Sequence, residues 1–271
     1  MKDLSKVLLV TDLDGTLLTG GSEILPDDMT AIERFKAAGG KFTIATGRAI
    51  YYSDSYVDRL KITLPVILFN GAMIFDVADK KIIYERLISD RIRDVISDVT
   101  KKFPQIACEI LTHDNIYVVQ DNSVERRHNE RCGVTPVYAD LADVPYDSGK
   151  GWYKSLFAMD AEVLPELAAF LAARNETEID FVQSSEIFYE ALPRGCSKGG
   201  ALKEYVKLLG MEDYTVYAAG DYHNDIEMLE CADFGAAPSN AQADVRTRAK
   251  IKLNRTNNEG AIAELIDIIM T

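Results

Sequence analysis

Cysteines are few in this sequence, and long apolar runs are absent. The four cysteines are scattered with no CxxC pair, which argues against a disulfide framework and against a zinc site. No stretch approaches the roughly 18 uncharged apolar residues that a membrane-spanning helix needs. We therefore expect a protein that does not depend on disulfides or zinc and that has no membrane as a partner.

Basic residues are scarce relative to acidic ones. Thirty Lys and Arg stand against 43 Asp and Glu, giving a net charge of −13. An acidic chain without a basic stripe is poorly suited to bind phosphate backbones or anionic lipid, so we expect no nucleic-acid partner. The N-terminal sequence MKDLSKVLLVTDLDG places acids directly after a short apolar run, which does not fit a signal peptide. These features favour a cytoplasmic protein, and they leave its oligomeric state open.

Apolar strands alternate with helical patterns at both ends of the sequence. Continuous apolar runs at 6–11, 42–45 and 66–69 are typical of buried parallel strands, and amphipathic stretches follow the first two. The same alternation resumes after Pro193, with a helix predicted over 198–209 and a strand over 215–219. Such alternation predicts a parallel sheet with helices on its faces, formed by residues 1–86 and 191–271.

The middle of the chain has a different pattern. Period-two apolar runs at 116–120 and 152–159 and a hairpin around 184–185 are accompanied by two amphipathic helices. Paired antiparallel strands with helices indicate an α+β domain, and about 100 residues suffice for one. We therefore predict that residues 87–190 form an α+β domain inserted into an α/β domain.

Two carboxylates lie where the first predicted strand ends. Asp12 and Asp14 belong to the run DLDGTLL, and Gly15 follows them. Reactive groups gather at the carboxyl ends of strands in an open α/β sheet. Two acids this close repel each other, so they need a cation or a shared proton. An Asp-Gly turn at a strand end is the ordinary structural alternative.

Three further segments carry polar groups at strand or helix ends. Thr46-Gly47-Arg48 follows the second strand and could form an anion cradle, and Lys198 opens a helix. The run GDYHND at 220–225 offers carboxylate and amide oxygens, which suit a hard cation such as Mg²⁺. A plain turn, a surface lysine and a helix cap at Asn224 or Asp225 are the alternatives.

Taken together, these four segments resemble the motifs of the haloacid dehalogenase superfamily of phosphohydrolases, and most closely those of its Cof-type branch. The family motifs are matched by DLDGTL at Asp12, by ATGR at Thr46, by SKGGAL at Lys198 and by GDYHND at Asp221. The family also often carries Asn-Gly-Ala after its third strand, found here at 70–72. The resemblance implies a Rossmann-like parallel-sheet core, with the insert as a cap domain that acts as a substrate-specificity lid.

The resemblance also implies a role for each matched residue. Asp12 would be the nucleophile and Asp14 the general acid and base. Mg²⁺ would be held by the carboxylates of Asp12 and Asp221 and by the backbone carbonyl of Asp14. Thr46 and Lys198 would hold the phosphoryl oxygens. Gly47, Asn224 and Asp225 would support the site.

These roles describe a Mg²⁺-dependent phosphoric monoester hydrolase that acts on a small phosphorylated metabolite through an aspartyl phosphate. A sugar phosphate is the leading candidate for the substrate. A phosphomutase built on the same core is an alternative, and so is a catalytically silent sensor of a phosphorylated ligand. The presence of Asp12, Asp14, Lys198 and Asp221 argues against the sensor, because a sensor needs no nucleophile.

Overall fold

The computed structural model describes residues 3–146 and 151–271, which divide into two compact units. The first unit comprises 3–47, 55–84 and 197–271, and the second comprises 48–54, 85–146 and 151–196. The sequence placed the domain boundaries after residues 86 and 190, whereas the units divide after 84 and 196, because the strand Phe188–Pro193 pairs within the second unit. It also did not predict that 48–54 belong with the second unit. Residues 1, 2 and 147–150 of the predicted domains lie outside the described residues.

Fourteen strands occur in the two described ranges. In chain order they are β1 (Val7–Thr11), β2 (Lys41–Ile44), β3 (Val66–Leu68), β4 (Met73–Asp76), β5 (Lys81–Glu85), β6 (Ala107–Thr112), β7 (Ile116–Gln120), β8 (Val137–Tyr138), β9 (Trp152–Ala158), β10 (Ile179–Gln183), β11 (Phe188–Pro193), β12 (Thr215–Ala219), β13 (Phe234–Ala237) and β14 (Ile251–Lys252).

The described ranges also contain nine α-helices. They are α1 (Pro26–Ala37), α2 (Ile50–Arg59), α3 (Ile92–Lys102), α4 (Ser123–Cys132), α5 (Leu164–Ala173), α6 (Lys198–Leu208), α7 (Ile226–Cys231), α8 (Ala243–Arg248) and α9 (Ala261–Met270). None of these described helices is long and apolar enough to cross a membrane.

A five-stranded parallel sheet organises the first unit. Its strand order is β14-β13-β12-β1-β2, and β1 pairs in parallel with both β12 and β2. The side chains of Leu8, Val10, Val216 and Ala218 form a buried cluster with residues of α6 and α7. The predicted α/β class with a parallel-sheet core is therefore confirmed.

The third strand keeps only part of its predicted parallel pairing. β3 pairs antiparallel with β4 in a separate three-stranded sheet of order β3-β4-β5. It meets the residue after β2 through a single bridge, between Ala45 and Ile67, and this bridge is parallel as predicted. A short apolar run is compatible with either kind of sheet, so the sequence pattern alone could not distinguish them.

The second unit contains a six-stranded sheet of order β10-β11-β9-β6-β7-β8, with helices α3 and α5 contributing to its apolar cluster. The sequence did not predict β6, although this strand pairs with both β7 and β9. All six residues of β6 are buried, including Glu109, so the strand lacks the alternation of apolar and polar residues that marks a half-exposed strand.

A buried carboxylate joins two helices of the first unit. Helix α9 begins after Gly260, which has φ 84° and no side chain that can cap the helix. Asp28 of α1 is fully buried, and its Oδ1 accepts a hydrogen bond from the backbone N–H of Ala263 at 2.7 Å. Asp28 thus caps α9 from a distant part of the chain. Burial raises the pKa of Asp28 to about 6.

The substitution Asp28→Asn tests this cap. Because the folded-state pKa lies above the ordinary 3.8, the stabilisation from protonated Asp28 is present below about pH 4 and is lost as the pH rises through 6. Asn keeps the acceptor oxygen and cannot ionise. We expect the free energy of unfolding of the variant, relative to wild type, to rise by roughly 1–3 kcal/mol between pH 4.5 and pH 7.5 (on the order of the pKa shift in energy units).

Urea unfolding across this pH range measures the difference. Asp27→Asn, on the same turn but exposed, is the matched control and should stay within about 0.5 kcal/mol of wild type throughout. A stability difference for Asp28→Asn that is independent of pH would show that the buried carboxyl does not titrate as described.

Candidate active site

The candidate site lies at the carboxyl ends of three neighbouring parallel strands. The last residue of β1, Thr11, is paired with Ala219 of β12 and Ile44 of β2. The next residue, Asp12, continues the sheet by donating its backbone N–H to the carbonyl oxygen of Ala219 at 2.9 Å. Residues that directly follow β1, β2 and β12 are therefore brought to one edge of the sheet, as expected for an open α/β fold.

A buried lysine connects two of the predicted acids. Nζ of Lys198 donates to Oδ1 of Asp12 and to Oδ1 of Asp225, both at 2.7 Å. Lys198 is 1% exposed, and Ser197 caps its helix by accepting from the N–H of Gly200. Burial acts to lower the pKa of Lys198, but the two carboxylates outweigh it and the pKa is raised. Lys198 therefore remains charged inside the site.

The first carboxylate of the fourth motif, Asp221, contacts the first motif. Oδ1 of Asp221 accepts a hydrogen bond from Oγ1 of Thr16 at 2.7 Å. Gly15 has φ 77°, and a Cβ there would come within 2.4 Å of Oδ2 of Asp221. The glycine of the Asp-Gly pair thus satisfies both the turn and the close approach of the carboxylate.

Asp225 uses both of its oxygens on donors of this chain. Its Oδ2 accepts from the backbone N–H groups of Asp221 and Tyr222 at 3.0 and 3.2 Å, while its Oδ1 accepts from Lys198. The carboxylate therefore holds both the lysine and the loop that carries Asp221.

The second motif is held by a turn that follows β3. Thr46 is 1% exposed, and its backbone carbonyl accepts from the N–H of Asn70 at 3.0 Å. A Cβ at Gly47 would come within 2.9 Å of Oδ1 of Asn70, which explains the absence of a side chain there. The same oxygen of Asn70 accepts from Nδ2 of Asn224 at 3.0 Å.

Asp14 differs from the other acids. Its side chain is exposed, whereas Asp12 is 6% exposed. Even so, the charge of Asp14 contributes to the raised pKa of both Asp12 and Asp221, although burial is the main cause. An acid that is open to solvent yet close enough to influence the buried pair can exchange protons with water.

All eight predicted site residues belong to the first unit. Two other polar residues of the motifs have partners that the sequence did not predict. Arg48 falls in the second unit, where it donates to the carbonyl of Tyr52 at 3.3 Å. His223 pairs with Asp244 at 3.1 Å. The sequence missed Asn240, which donates to the carbonyl of Gly15 at 2.8 Å, because this residue lies in a loop with no recognisable motif.

The acids fit a hard divalent cation. One side-chain oxygen each from Asp12, Asp221 and Asp225 lie within 4.8 Å of one another. Burial and the neighbouring carboxylates raise the pKa of Asp12 well above its ordinary value and that of Asp221 to about 7. Three carboxylates against the single ammonium of Lys198 leave an excess of negative charge, and all-oxygen donors are those that Mg²⁺ prefers.

Comparison with known proteins identifies the family to which this chain belongs. The family model for haloacid dehalogenase-like hydrolases matches residues 9–266. The chain is 27% identical over 288 residues to the 5-amino-6-(5-phospho-D-ribitylamino)uracil phosphatase YwtE of Bacillus subtilis, covering 97% of this chain and 98% of that protein. It is also 27% identical over 276 residues to the pyridoxal phosphate phosphatase YbhA of Escherichia coli, covering 96% and 97%.

A solved structure agrees with these relatives. The haloacid dehalogenase-like hydrolase from B. subtilis superposes with a TM-score of 0.84 at 25% identity, covering 96% of this chain and 98% of that one. The chain therefore belongs to the haloacid dehalogenase-like hydrolases. It is a phosphatase of the Cof type, a phosphoric monoester hydrolase, so the resemblance seen in the sequence is confirmed.

Replacing Lys198 by Met tests the charge balance of the site. Met fills a similar volume but leaves the buried carboxylates of Asp12 and Asp225 without their cation. Removing one partner of a buried ion pair typically costs about 3–5 kcal/mol, and we expect a loss of unfolding free energy in this range at pH 8.

Denaturant unfolding measures this loss. Lys203→Met, on the same helix, is the matched control: Lys203 and Glu227 form an exposed pair at 3.3 Å, and its loss should cost less than about 1 kcal/mol. Equal losses of unfolding free energy for the two variants would mean that Lys198 does not stabilise the buried carboxylates of Asp12 and Asp225.

Proposed function

We propose that this phosphatase is a cytoplasmic, Mg²⁺-dependent enzyme that hydrolyses a small phosphorylated metabolite, with a sugar phosphate as the leading candidate. The observation that carries the proposal is the ammonium of Lys198, held at 2.7 Å from both Asp12 and Asp225. The buried cation can bind a phosphoryl group electrostatically, and the strand-end carboxylate next to it can act as the nucleophile.

Asp12 would act as the nucleophile. One carboxylate oxygen forms a bond to phosphorus while the bond from phosphorus to the ester oxygen breaks, which leaves an aspartyl phosphate and an alcohol whose oxygen has taken a proton from Asp14. Water then attacks the phosphorus of the aspartyl phosphate, releasing inorganic phosphate and restoring the carboxylate. The buried position of Asp12 supports this role, because its carboxylate is poorly solvated and next to Lys198.

Asp14 would move the protons. It protonates the leaving oxygen in the first step and accepts a proton from the attacking water in the second. Its exposed side chain supports this role, since a group in contact with solvent can regain and release a proton between the two steps. The two acids would thus differ in function because they differ in burial.

Mg²⁺ would be held by the carboxylates of Asp12 and Asp221 and by the backbone carbonyl of Asp14. When bound, it would neutralise the charge of the phosphoryl group and of the acids around it. Thr46 and Lys198 would bind the phosphoryl oxygens. Gly47, Asn224 and Asp225 would hold these groups in position. The hydrogen bonds of Asp225 with Lys198 and Asp221, and of Asn224 with Asn70, support this role.

The names of two relatives support a small phosphate ester as the substrate. One relative is named for a phosphorylated ribityl compound and the other for pyridoxal phosphate, both small phosphate esters.

We propose that the second unit, inserted in the chain between Thr46 and Lys198, acts as the substrate-specificity lid. Substitutions there should change the ranking of substrates more than the hydrolysis of a small aryl phosphate.

A hydrolysis screen over phosphorylated metabolites tests the proposal. We expect free phosphate to be released from at least one sugar phosphate with Mg²⁺ present. Activity should vanish on chelation and return on addition of Mg²⁺, because the candidate ligands are all oxygens. Production of a second sugar phosphate without free phosphate would instead identify a phosphomutase.

Asp221→Asn is the matched variant for the metal. It keeps the shape of the side chain but removes one negative charge, so it should raise the Mg²⁺ concentration needed for half-maximal activity by about 10–100-fold. Full activity of the chelated wild-type enzyme would contradict the proposed dependence on Mg²⁺.

A further inference from the structure

The turn that carries Asp14 has a glycine where its other residues have buried side chains. Gly15 follows Asp14 with φ 77° and has no side chain to pack. Glycine has more conformational freedom than any other residue, so a contact to its backbone is needed if the turn is to keep one shape. The residues of this turn whose side chains are fully buried are Leu13, Thr16, Leu17 and Leu18.

A side chain from another loop makes that contact. Nδ2 of Asn240 donates to the carbonyl oxygen of Gly15 at 2.8 Å. The next residue, Thr16, is held from a different direction, because its hydroxyl donates to Oδ1 of Asp221 at 2.7 Å. These two bonds fix the backbone directly after Asp14. They therefore restrict where the exposed carboxyl of Asp14 can lie.

The loop that carries Asn240, residues 238–242 after β13, is itself anchored. Oδ1 of Asn240 accepts from the backbone N–H of Asn257 at 2.9 Å, so both ends of the carboxamide are engaged. The N–H of Gln242 donates to the backbone carbonyl of Asp221 at 3.0 Å. The loop thus contacts both the first motif and the fourth. A side chain held in this way can act as a rigid support for a catalytic group.

We propose that Asn240 is a positioning residue for the general acid: by holding the carbonyl of Gly15, it keeps Asp14 at the place from which it protonates the leaving oxygen. The inference rests on the proposed function, because it takes Asp14 as the group that moves protons. Asn240 acts through Asp14 and takes no part in the bond changes. A displacement of about 1 Å can lower the rate of a catalysed step by roughly 10²-fold.

Two phosphate esters of similar size separate positioning from folding. Phenyl phosphate releases a phenolate, whose conjugate acid has a pKa of about 10 as in tyrosine, so its release benefits from a proton. p-Nitrophenyl phosphate releases a much weaker base and needs little protonation. Asn240→Ala should lower the second-order rate constant for release of the leaving group by about 10-fold for phenyl phosphate and by less than about 3-fold for p-nitrophenyl phosphate. A partly unfolded variant would lose the same factor on both esters, which would overturn the inference.

A double-mutant cycle shows whether Asn240 acts through Asp14. Asp14→Asn alone should make the ratio of the two rate constants larger than in Asn240→Ala, because it removes the acid itself. Adding Asn240→Ala to Asp14→Asn should leave that ratio unchanged, since no acid is left to position. A further increase of the ratio in the double variant would overturn the inference.

Two more variants identify the hydrogen bond that matters. Asn240→Asp keeps the size of the side chain and the acceptor for Asn257, but its ionised carboxylate cannot donate to Gly15. Its ratio should be at least as large as that of Asn240→Ala, and a wild-type ratio would contradict the role of the donor. Asn258→Ala is the matched control: Oδ1 of Asn258 accepts from the N–H of Gly20 at 3.0 Å, beyond the turn. It should keep the wild-type ratio, and a ratio as large as that of Asn240→Ala would overturn the inference.

Amide hydrogen exchange gives a readout that does not depend on turnover. Exchange in residues 13–18 should be faster in Asn240→Ala than in the wild type at an unchanged melting temperature, and unchanged exchange would contradict the inference. If Asp14→Asn itself affects both esters equally, the role proposed for Asp14 fails and the inference fails with it. If Asp14→Asn distinguishes the esters and Asn240→Ala does not, the inference alone is overturned.

Discussion

The site depends on one buried cation, the ammonium of Lys198, between the carboxylates of Asp12 and Asp225. Without it, two acids in an environment of low dielectric would repel each other and take up protons. The bond to Asp225 also reaches the loop of the fourth motif, because the other oxygen of Asp225 accepts from the N–H groups of Asp221 and Tyr222. A single ion-pair network thus joins the end of β1, the start of α6 and the loop after β12.

The parallel sheet makes this network possible. Adjacent parallel strands end at the same edge, so Thr16 and Asp221, 205 positions apart in the chain, come within hydrogen-bonding distance. Glycines permit the close packing: a side chain at Gly15 would collide with Asp221, and one at Gly220 would collide with Asp225. These positions lack a Cβ because carboxylates occupy the space. Lys198 compensates only part of the negative charge of these carboxylates, and a divalent cation would compensate the rest.

The α/β class and the grouping of the matched acids could be predicted, because strand-end motifs and continuous apolar runs are local signals. The sequence did not predict β6, whose six buried residues show no alternation, or the antiparallel pairing of β3, which depends on partners elsewhere in the chain. It offered Thr46-Gly47-Arg48 as a possible anion cradle with a plain turn as the alternative, and the contact of Arg48 with the carbonyl of Tyr52 was not predicted. The contacts of Asn70 and Asn240 depend on how distant loops meet, which no spacing in the sequence reveals.

The central claim is that a buried Asp12 carries the phosphoryl group while an exposed Asp14 moves protons. Rapid-quench measurement with a labelled phosphoryl group on an activated aryl phosphate tests it most directly. Asp14→Asn should release the leaving group in a burst and then stall as the phosphoenzyme, because proton transfer contributes a factor of about 10²–10⁴ and the attacking water still needs a base. Asp12→Asn should trap no phosphoryl group, with melting curves showing that both variants are folded. A labelled phosphoryl group trapped on Asp12→Asn, or steady wild-type turnover in Asp14→Asn, would contradict the assignment.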